Sequence, residues 1–202
     1  MNQEKFDEWA NSYDGKRYDF FRRMQKRVLS QVELKEGASF LDVGCGTGWA
    51  VRQAAAMAGK NGRAYGIDLS AKMIEKAREA AQGIGNAEFH QANAEALPFT
   101  DSSFDRIICT MSFHHYLRPG KAVTEMARVL KSGGRVCIVD PTADSFIIRW
   151  VKGYLKWRQP EHANLYSSEE FRAFFKAAGL KYLEKRRLLL LRLVAKAHFA
   201  KK

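Results

Sequence analysis

The chain is poor in cysteine, has no long apolar run and runs short of acidic residues toward its end. Each deficit removes a class of protein. Only 3 cysteines occur among 202 residues, at positions 45, 109 and 137, and none has the spacing of a metal-ligand set. No three-cysteine cluster is available to hold an iron–sulfur centre, and two of the three read as small apolar strand residues. No stretch approaches the roughly 20 apolar residues of a membrane span. The one aliphatic run, Leu188 to Leu191, is fenced by Arg186, Arg187 and Arg192. Residues Met1 to Tyr18 are acidic, aromatic and polar, without the pattern of a secretory signal, so a cytoplasmic protein is expected. Internal repeats, low-complexity tracts and dividing linkers are missing too, and the length fits a single domain with a substantial core.

The shortage of acids is local. Net charge is +12, and residues 141–202, with 14 basic and 5 acidic groups, carry +9 of it. Such a bias reads in two ways: as attraction to an anionic substrate, a membrane surface or nucleic acid, or as a solvated face that keeps the protein soluble.

What is present is a regular alternation. Residues 1–35 read as mainly helical, with Phe21, Met24, Val28 and Leu29 at helical spacing over 18–32. The pattern then predicts strands near 38–43, 63–67, 87–90, 104–110, 134–139, 181–188 and 191–199 and helices near 49–58, 70–82, 119–130 and 168–178. Pro119 suits a helix's first turn, and Gly133-Gly134 punctuates that helix's exit. Ser167 with Glu170 three residues on makes a capping box, and Gly179 a C-cap. Alternating strands and helices imply an α/β fold with a mainly parallel sheet covered on both faces.

The richest segment is Phe40-Leu41-Asp42-Val43-Gly44-Cys45-Gly46-Thr47-Gly48. It reads as a buried strand breaking into a glycine turn, with a helix opening near Trp49. Glycines at 44, 46 and 48 permit positive φ and leave bare backbone for a ligand to lie against. The helix behind them offers unpaired N–H groups. A second apolar run ends in Asp68, 24 residues after Gly44, where an acid can accept both hydroxyls of a ribose. The pattern departs from the nicotinamide fingerprint, because Trp49 stands where a third glycine would follow Gly46. A carboxylate at the loop suits a ligand with a cationic amine better than a pyrophosphate.

Four segments in order, LDVGCGTG (41–48), GIDLS (66–70), QANAEALPF (91–99) and FDRIICTMSFHHYL (104–117), resemble the class I S-adenosylmethionine-dependent methyltransferases. Within them the chain is similar to the small-molecule branch that includes the ubiquinone/menaquinone-biosynthesis enzymes (the type 11 methyltransferase domain). The likeness covers residues 36 to 140 well and the flanks loosely. It implies a Rossmann-like, doubly wound sheet of seven strands in the order 3-2-1-4-5-7-6, strand 7 antiparallel. It also implies a helical N-terminal lid (1–35), a cofactor-binding core (36–140) and an acceptor-side segment with the final strands (141–202).

The resemblance further implies S-adenosylmethionine as cofactor, without a metal. Gly44, Cys45 and Gly46 would pack their backbone on its amino-acid moiety, with Asp42 near the ammonium. Asp68 would take the ribose hydroxyls; its alternative is a helix N-cap ahead of Ser70. Leu69 and Met73 would lie against the adenine faces, or serve as ordinary core residues at i, i+4. Asn93, where the family more often has Asp, and the Ala94 N–H would read the adenine edge. Thr110 would contribute main chain beside the methionine part. Phe6 and Tyr13 match a short element that closes over the cofactor in relatives.

Transfer from a sulfonium is an in-line displacement in which alignment does most of the work, and an acceptor with a proton to lose also benefits from a base. His115 matches a histidine found in many relatives and catalytic in some, and is expected to pair with Tyr13 across the closed site; a packing role is its alternative. His114 is a second candidate, whereas Asp140-Pro141 reads as a turn. Residues 146–157 mix aliphatic and aromatic side chains with three cations and would line an acceptor pocket, rest on a membrane surface or pair two subunits. The expected acceptor is a small hydrophobic or aromatic molecule. A nucleic-acid methyltransferase and a non-catalytic S-adenosylmethionine-binding protein are the alternatives. The first lacks the Asn/Asp-Pro-Pro-aromatic motif for a flipped base, so no obligate nucleic acid is expected.

Overall fold

A computed structural model describes residues 16–144, 164–187 and 195–202. The elements in chain order are α1 (Lys16–Leu29), β1 (Ser39–Val43), α2 (Trp49–Ala58), β2 (Arg63–Asp68), α3 (Ala71–Ala80), β3 (Ala87–Gln91), β4 (Phe104–Thr110), a 3-10 turn (Phe113–His115), α4 (Pro119–Val129), β5 (Leu130–Pro141), α5 (Ser168–Ala177), β6 (Lys181–Arg187) and β7 (Ala195–Lys201). The strands form one sheet in the order β3-β2-β1-β4-β5-β7-β6. Pairing is parallel from β3 to β5, and β7 runs antiparallel to both its neighbours. The expected order and the reversed last strand are thus both present.

The central strands are apolar on both faces, as a sheet covered by helices requires. Side chains alternate across the sheet with period two. Phe40, Ile108 and Cys137 join the core beneath α1, α2 and α3. Leu41, Val43, Ile107 and Ile138 join the core beneath α4 and α5, with Met126, Phe171 and Phe175. The helix ends obey local chemistry. Ser70 Oγ accepts the Met73 N–H, Pro119 occupies the first turn of α4, and Ser167 and Glu170 form the reciprocal capping box on α5. Gly179, just past α5, has φ +74°.

Both ends of β5 differ from the sequence reading. β5 runs from Leu130 to Pro141, so Gly133-Gly134 lies inside a strand and Asp140-Pro141 is not a turn. Pairing with β7, in register Asp140 with Lys196 and Pro141 with Ala195, carries the strand past the point where local residues alone would end it. Among the described residues, no helix is long and apolar enough to cross a membrane.

Candidate functional site

The glycine turn follows β1 at the carboxyl ends of the parallel strands, where open α/β sheets bind ligands. Gly44 and Cys45 donate to the Ile67 carbonyl at 2.8 and 2.9 Å, which ties the turn to β2. All three glycines have positive φ, but they do not do the same work. A Cβ on Gly44 would lie 2.4 Å from Ser112 Oγ, and one on Gly48 2.4 Å from the Phe89 ring. A Cβ on Gly46 would meet nothing within 4 Å. Two of the glycines are therefore required by the protein's own packing, and only Gly46 faces open space.

Two acids flank this turn. Asp42 sits in β1 with no exposed surface, and neither carboxylate oxygen has a hydrogen-bond partner. Burial, and then the charge of Asp68, pushes its pKa from 3.8 up to about 8. A buried carboxylate without a partner is costly; here it lies beneath a turn whose backbone is bare. Asp68 ends β2, and its two oxygens accept the Gly46 N–H at 2.9 Å and the Ser70 N–H at 3.0 Å. It does not cap α3, a task that falls to Ser70.

Two clefts meet over these residues and share Gly44, Asp68 and Ser112. The first is lined by Leu69, Asn93, Ala94, His115, Tyr116 and Leu117, and encloses about 620 Å³, open to solvent included. The second lies between α1 and the glycine turn, lined by Phe21, Arg22, Gln25, Cys45, Gly46, Met73 and Thr110. Gln25 Nε2 donates to Thr110 Oγ1 at 3.3 Å, so α1 is fastened over the end of β4. Of the residues expected to bind cofactor, Leu69, Asn93 and Ala94 thus gather in the first cleft and Cys45, Gly46, Met73 and Thr110 in the second. Gly44 and Asp68 serve both, and Asp42 lies below. Leu69 is exposed on the first cleft, while Met73 is buried on the wall of the second. Phe6, Tyr13, the pairing of Tyr13 with His115, and the acceptor segment 146–157 lie outside the described residues.

The walls are braced by Glu95, Ser112, Tyr116 and Arg118, which local pattern did not single out. Asn93 Oδ1 accepts the Glu95 N–H at 2.9 Å, which uses one acceptor site of the amide that faces the cleft. Glu95 in turn takes the Arg118 N–H at 2.8 Å and its Nε at 2.7 Å. Burial pushes the Glu95 carboxyl up, but the Arg118 donors outweigh it and leave it below its usual range. Ser112 Oγ and Tyr116 Oη both donate to the Val43 carbonyl, at 3.1 and 3.3 Å. They pin the loop after β4 against the end of β1. His114 Nδ1 lies 2.9 Å from Asp140 Oδ1, across the carboxyl ends of β4 and β5. Asp140 is fully buried, and burial raises its pKa although His114 opposes the rise. The signal for this pair was an acid at the end of an apolar run, which must find a partner if it is buried. Among the described residues there is no group of three side chains fit to hold a metal.

A family model for a methyltransferase domain matches residues 34–179. An uncharacterised methyltransferase, YcgJ of Bacillus subtilis, is 36% identical over 159 residues, which cover 77% of this chain and 62% of that protein. Nocamycin O-methyltransferase of Saccharothrix syringae is 31% identical over 75% of this chain and 55% of its own length. The chain therefore spans only about half to three-fifths of these two relatives. Among solved structures, YcgJ superposes with a TM-score of 0.69 at 34% identity, covering 81% of this chain and 71% of that one. A Haloferax volcanii protein, solved in complex with the Trm112 methyltransferase activator, reaches 0.84 at 22% identity over 97% of this chain and 96% of that one, a likeness of fold. With the glycine turn, the two acids and the sheet order in place, the chain belongs to the class I S-adenosylmethionine-dependent methyltransferase family.

Proposed function

We propose that this protein is an enzyme that moves a methyl group from S-adenosylmethionine to a small, hydrophobic or aromatic acceptor. The observation that carries the reading is the unpartnered carboxylate of Asp42 beneath the glycine turn, with Asp68 beside it. Two acids there repel a pyrophosphate and favour a ligand bearing positive charge, and S-adenosylmethionine brings an ammonium as well as a methyl group activated on a sulfonium. In this reading Asp68 holds the ribose hydroxyls in the first cleft, with Leu69 against the adenine and Asn93 and the Ala94 N–H at its edge. The amino-acid part occupies the second cleft, over Gly44, Cys45 and Gly46, with Met73 and Thr110 on its walls and Arg22 of α1 near its carboxylate. The protein's chief contribution is to align donor and acceptor. His115 keeps the place the resemblance assigns it, a ring on the wall of the first cleft that the N-terminal segment closes over through Tyr13.

A small acceptor is supported by relatives named for small-molecule products, among them a demethylmenaquinone methyltransferase of Staphylococcus carnosus, 29% identical over 79% of this chain. The basic C-terminal third is read as suiting an anionic acceptor or a membrane surface that presents one. Isothermal titration tests the core of the proposal. The protein should bind S-adenosylhomocysteine and ignore NAD, and Asp68→Ala should weaken the complex at least 100-fold, as loss of a charged acceptor for two hydroxyls implies. Native-like affinity in that variant, or preference for NAD, overturns the assignment.

A further inference from the structure

The edge of the first cleft formed by Asn93 and Ala94 is rich in donors and has little left to accept with. Asn93 opens a tight turn and serves its neighbours twice. Its main-chain carbonyl accepts the Ala96 N–H at 3.0 Å, and its Oδ1 accepts the Glu95 N–H at 2.9 Å. The second bond fixes which way the amide lies, because a backbone N–H must meet the oxygen and not the NH2 group. Nδ2, with its two hydrogens, is the part of the side chain left for a ligand. Neither Nδ2 nor the Ala94 N–H bonds any described residue. The cleft's carboxylates do not supply the missing acceptor. Glu95 is engaged by the Arg118 N–H and Nε at 2.8 and 2.7 Å. Asp68 is held by the Gly46 and Ser70 N–H groups and stands on the sugar side.

Purines present different atoms to such an edge. Adenine carries a donor at C6, its amino group, beside the acceptor N7, whereas a 6-oxopurine carries two acceptors, O6 and N7. An amide free at both ends reads adenine by accepting from N6 and donating to N7. Here the oxygen already serves Glu95, so the group offered toward C6 is a donor, which O6 matches and N6 does not. Asn93 is exposed, so an amino group that it fails to match turns to water and adenine is not expelled. We propose that Asn93 sets the base selectivity of this cleft, which reads acceptor atoms on the purine and takes a hypoxanthine nucleoside sulfonium as readily as the adenine one. The inference rests on the methyltransferase reading above and deepens it, by naming a second cofactor class for the same site.

Isothermal titration of the full chain with S-adenosylhomocysteine and with S-inosylhomocysteine, which differ only at C6 and N1, tests it. In the wild type the inosyl ligand should bind no more than about fivefold more weakly than the adenosyl one. Asn93→Asp keeps an oxygen for the Glu95 N–H, so the turn is preserved, and puts a charged acceptor where Nδ2 was. That variant should move the ratio of the two dissociation constants toward S-adenosylhomocysteine by about 10–100-fold, as one charge-assisted bond gained at N6 and one match lost at O6 imply. A wild type that disfavours the inosyl ligand by more than about fivefold overturns the proposal, since Oδ1 would then serve Glu95 and N6 together. A folded variant whose ratio moves by less than about tenfold overturns it too. If the variant does not fold, the wild-type comparison decides alone. Binding of S-adenosylhomocysteine without its inosyl analogue sinks this inference and leaves the methyltransferase reading standing, whereas binding of neither ligand sinks both.

Discussion

Replacing Asp42 by Asn should make the empty protein less sensitive to pH and at the same time spoil the site. Asp42 is fully buried, so no discount for solvent screening applies, and its pKa is raised from 3.8 in the unfolded chain to about 8 in the fold. The sign follows from proton counting. Between these values the folded protein holds a proton that the unfolded chain has lost, so stability falls as pH rises from about 4 to about 8. Each tenfold change in proton affinity is about 1.4 kcal/mol. Over the three pH units from 5 to 8 the penalty therefore approaches roughly 4 kcal/mol, part of it shared with Asp68. Asn carries a constant cost of its own, about 1–3 kcal/mol if its amide finds no partner, but that cost does not vary with pH and cancels when two pH values are compared. Thermal unfolding of the ligand-free proteins should show the variant gaining on the wild type by about 8–16 °C between pH 5 and pH 8, at roughly 2–4 °C per kcal/mol for this size. Titration of S-adenosylhomocysteine should show affinity lowered about 10- to 100-fold, and the proton that the wild type releases on binding near neutral pH should vanish from the variant. Parallel stability curves, with binding untouched, would refute both the burial argument and the placing of a cation over Asp42.

The glycine turn makes a paired prediction. Gly46→Ala should cost only about 1 kcal/mol of stability, from its positive φ, yet block S-adenosylhomocysteine binding; Gly48→Ala must displace the Phe89 ring and should cost about 2–4 kcal/mol in denaturant unfolding. Arg22→Met should weaken S-adenosylhomocysteine about three- to tenfold, as a half-exposed charge pair allows, and leave methylthioadenosine, which has no amino-acid part, unchanged. Equal losses for the two ligands would remove Arg22 from the carboxylate.

The limits of sequence reading here are physical, and they fall at contacts between distant segments. The span 49–58 of α2 and the span 104–110 of β4 match the sequence reading to the residue, because glycines, capping groups and apolar runs mark those ends locally. β5 does not, because its last residues are strand only by virtue of β7, which lies more than fifty positions away. The three glycines looked equivalent for the same reason. Their φ signs agree, and only Ser112 and Phe89, brought in by β4 and β3, separate the two that packing requires from the one that a ligand can use. The His114–Asp140 pair joins positions 26 apart, and nothing in either segment announces the other.

The arrangement of acids also explains why a site of this kind is built into the middle of a sheet rather than on its surface. A surface carboxylate is solvated before and after it meets a cation, so the pair gains little. Asp42 is desolvated in advance by β1 and its two parallel neighbours, through Gly66 on β2 and Ile108 on β4, and the folding energy of the apolar core has already met that cost. A cationic ligand arriving over Gly46 then relieves a penalty instead of incurring one, and part of its binding energy is in effect stored in the empty fold. Cofactor affinity and ligand-free stability are therefore opposed at this one residue. Substitutions that stabilise the empty protein by removing the buried carboxyl group should loosen its grip on the ligand, and the two effects should scale together across Asp42→Asn, Asp42→Ser and Asp42→Leu.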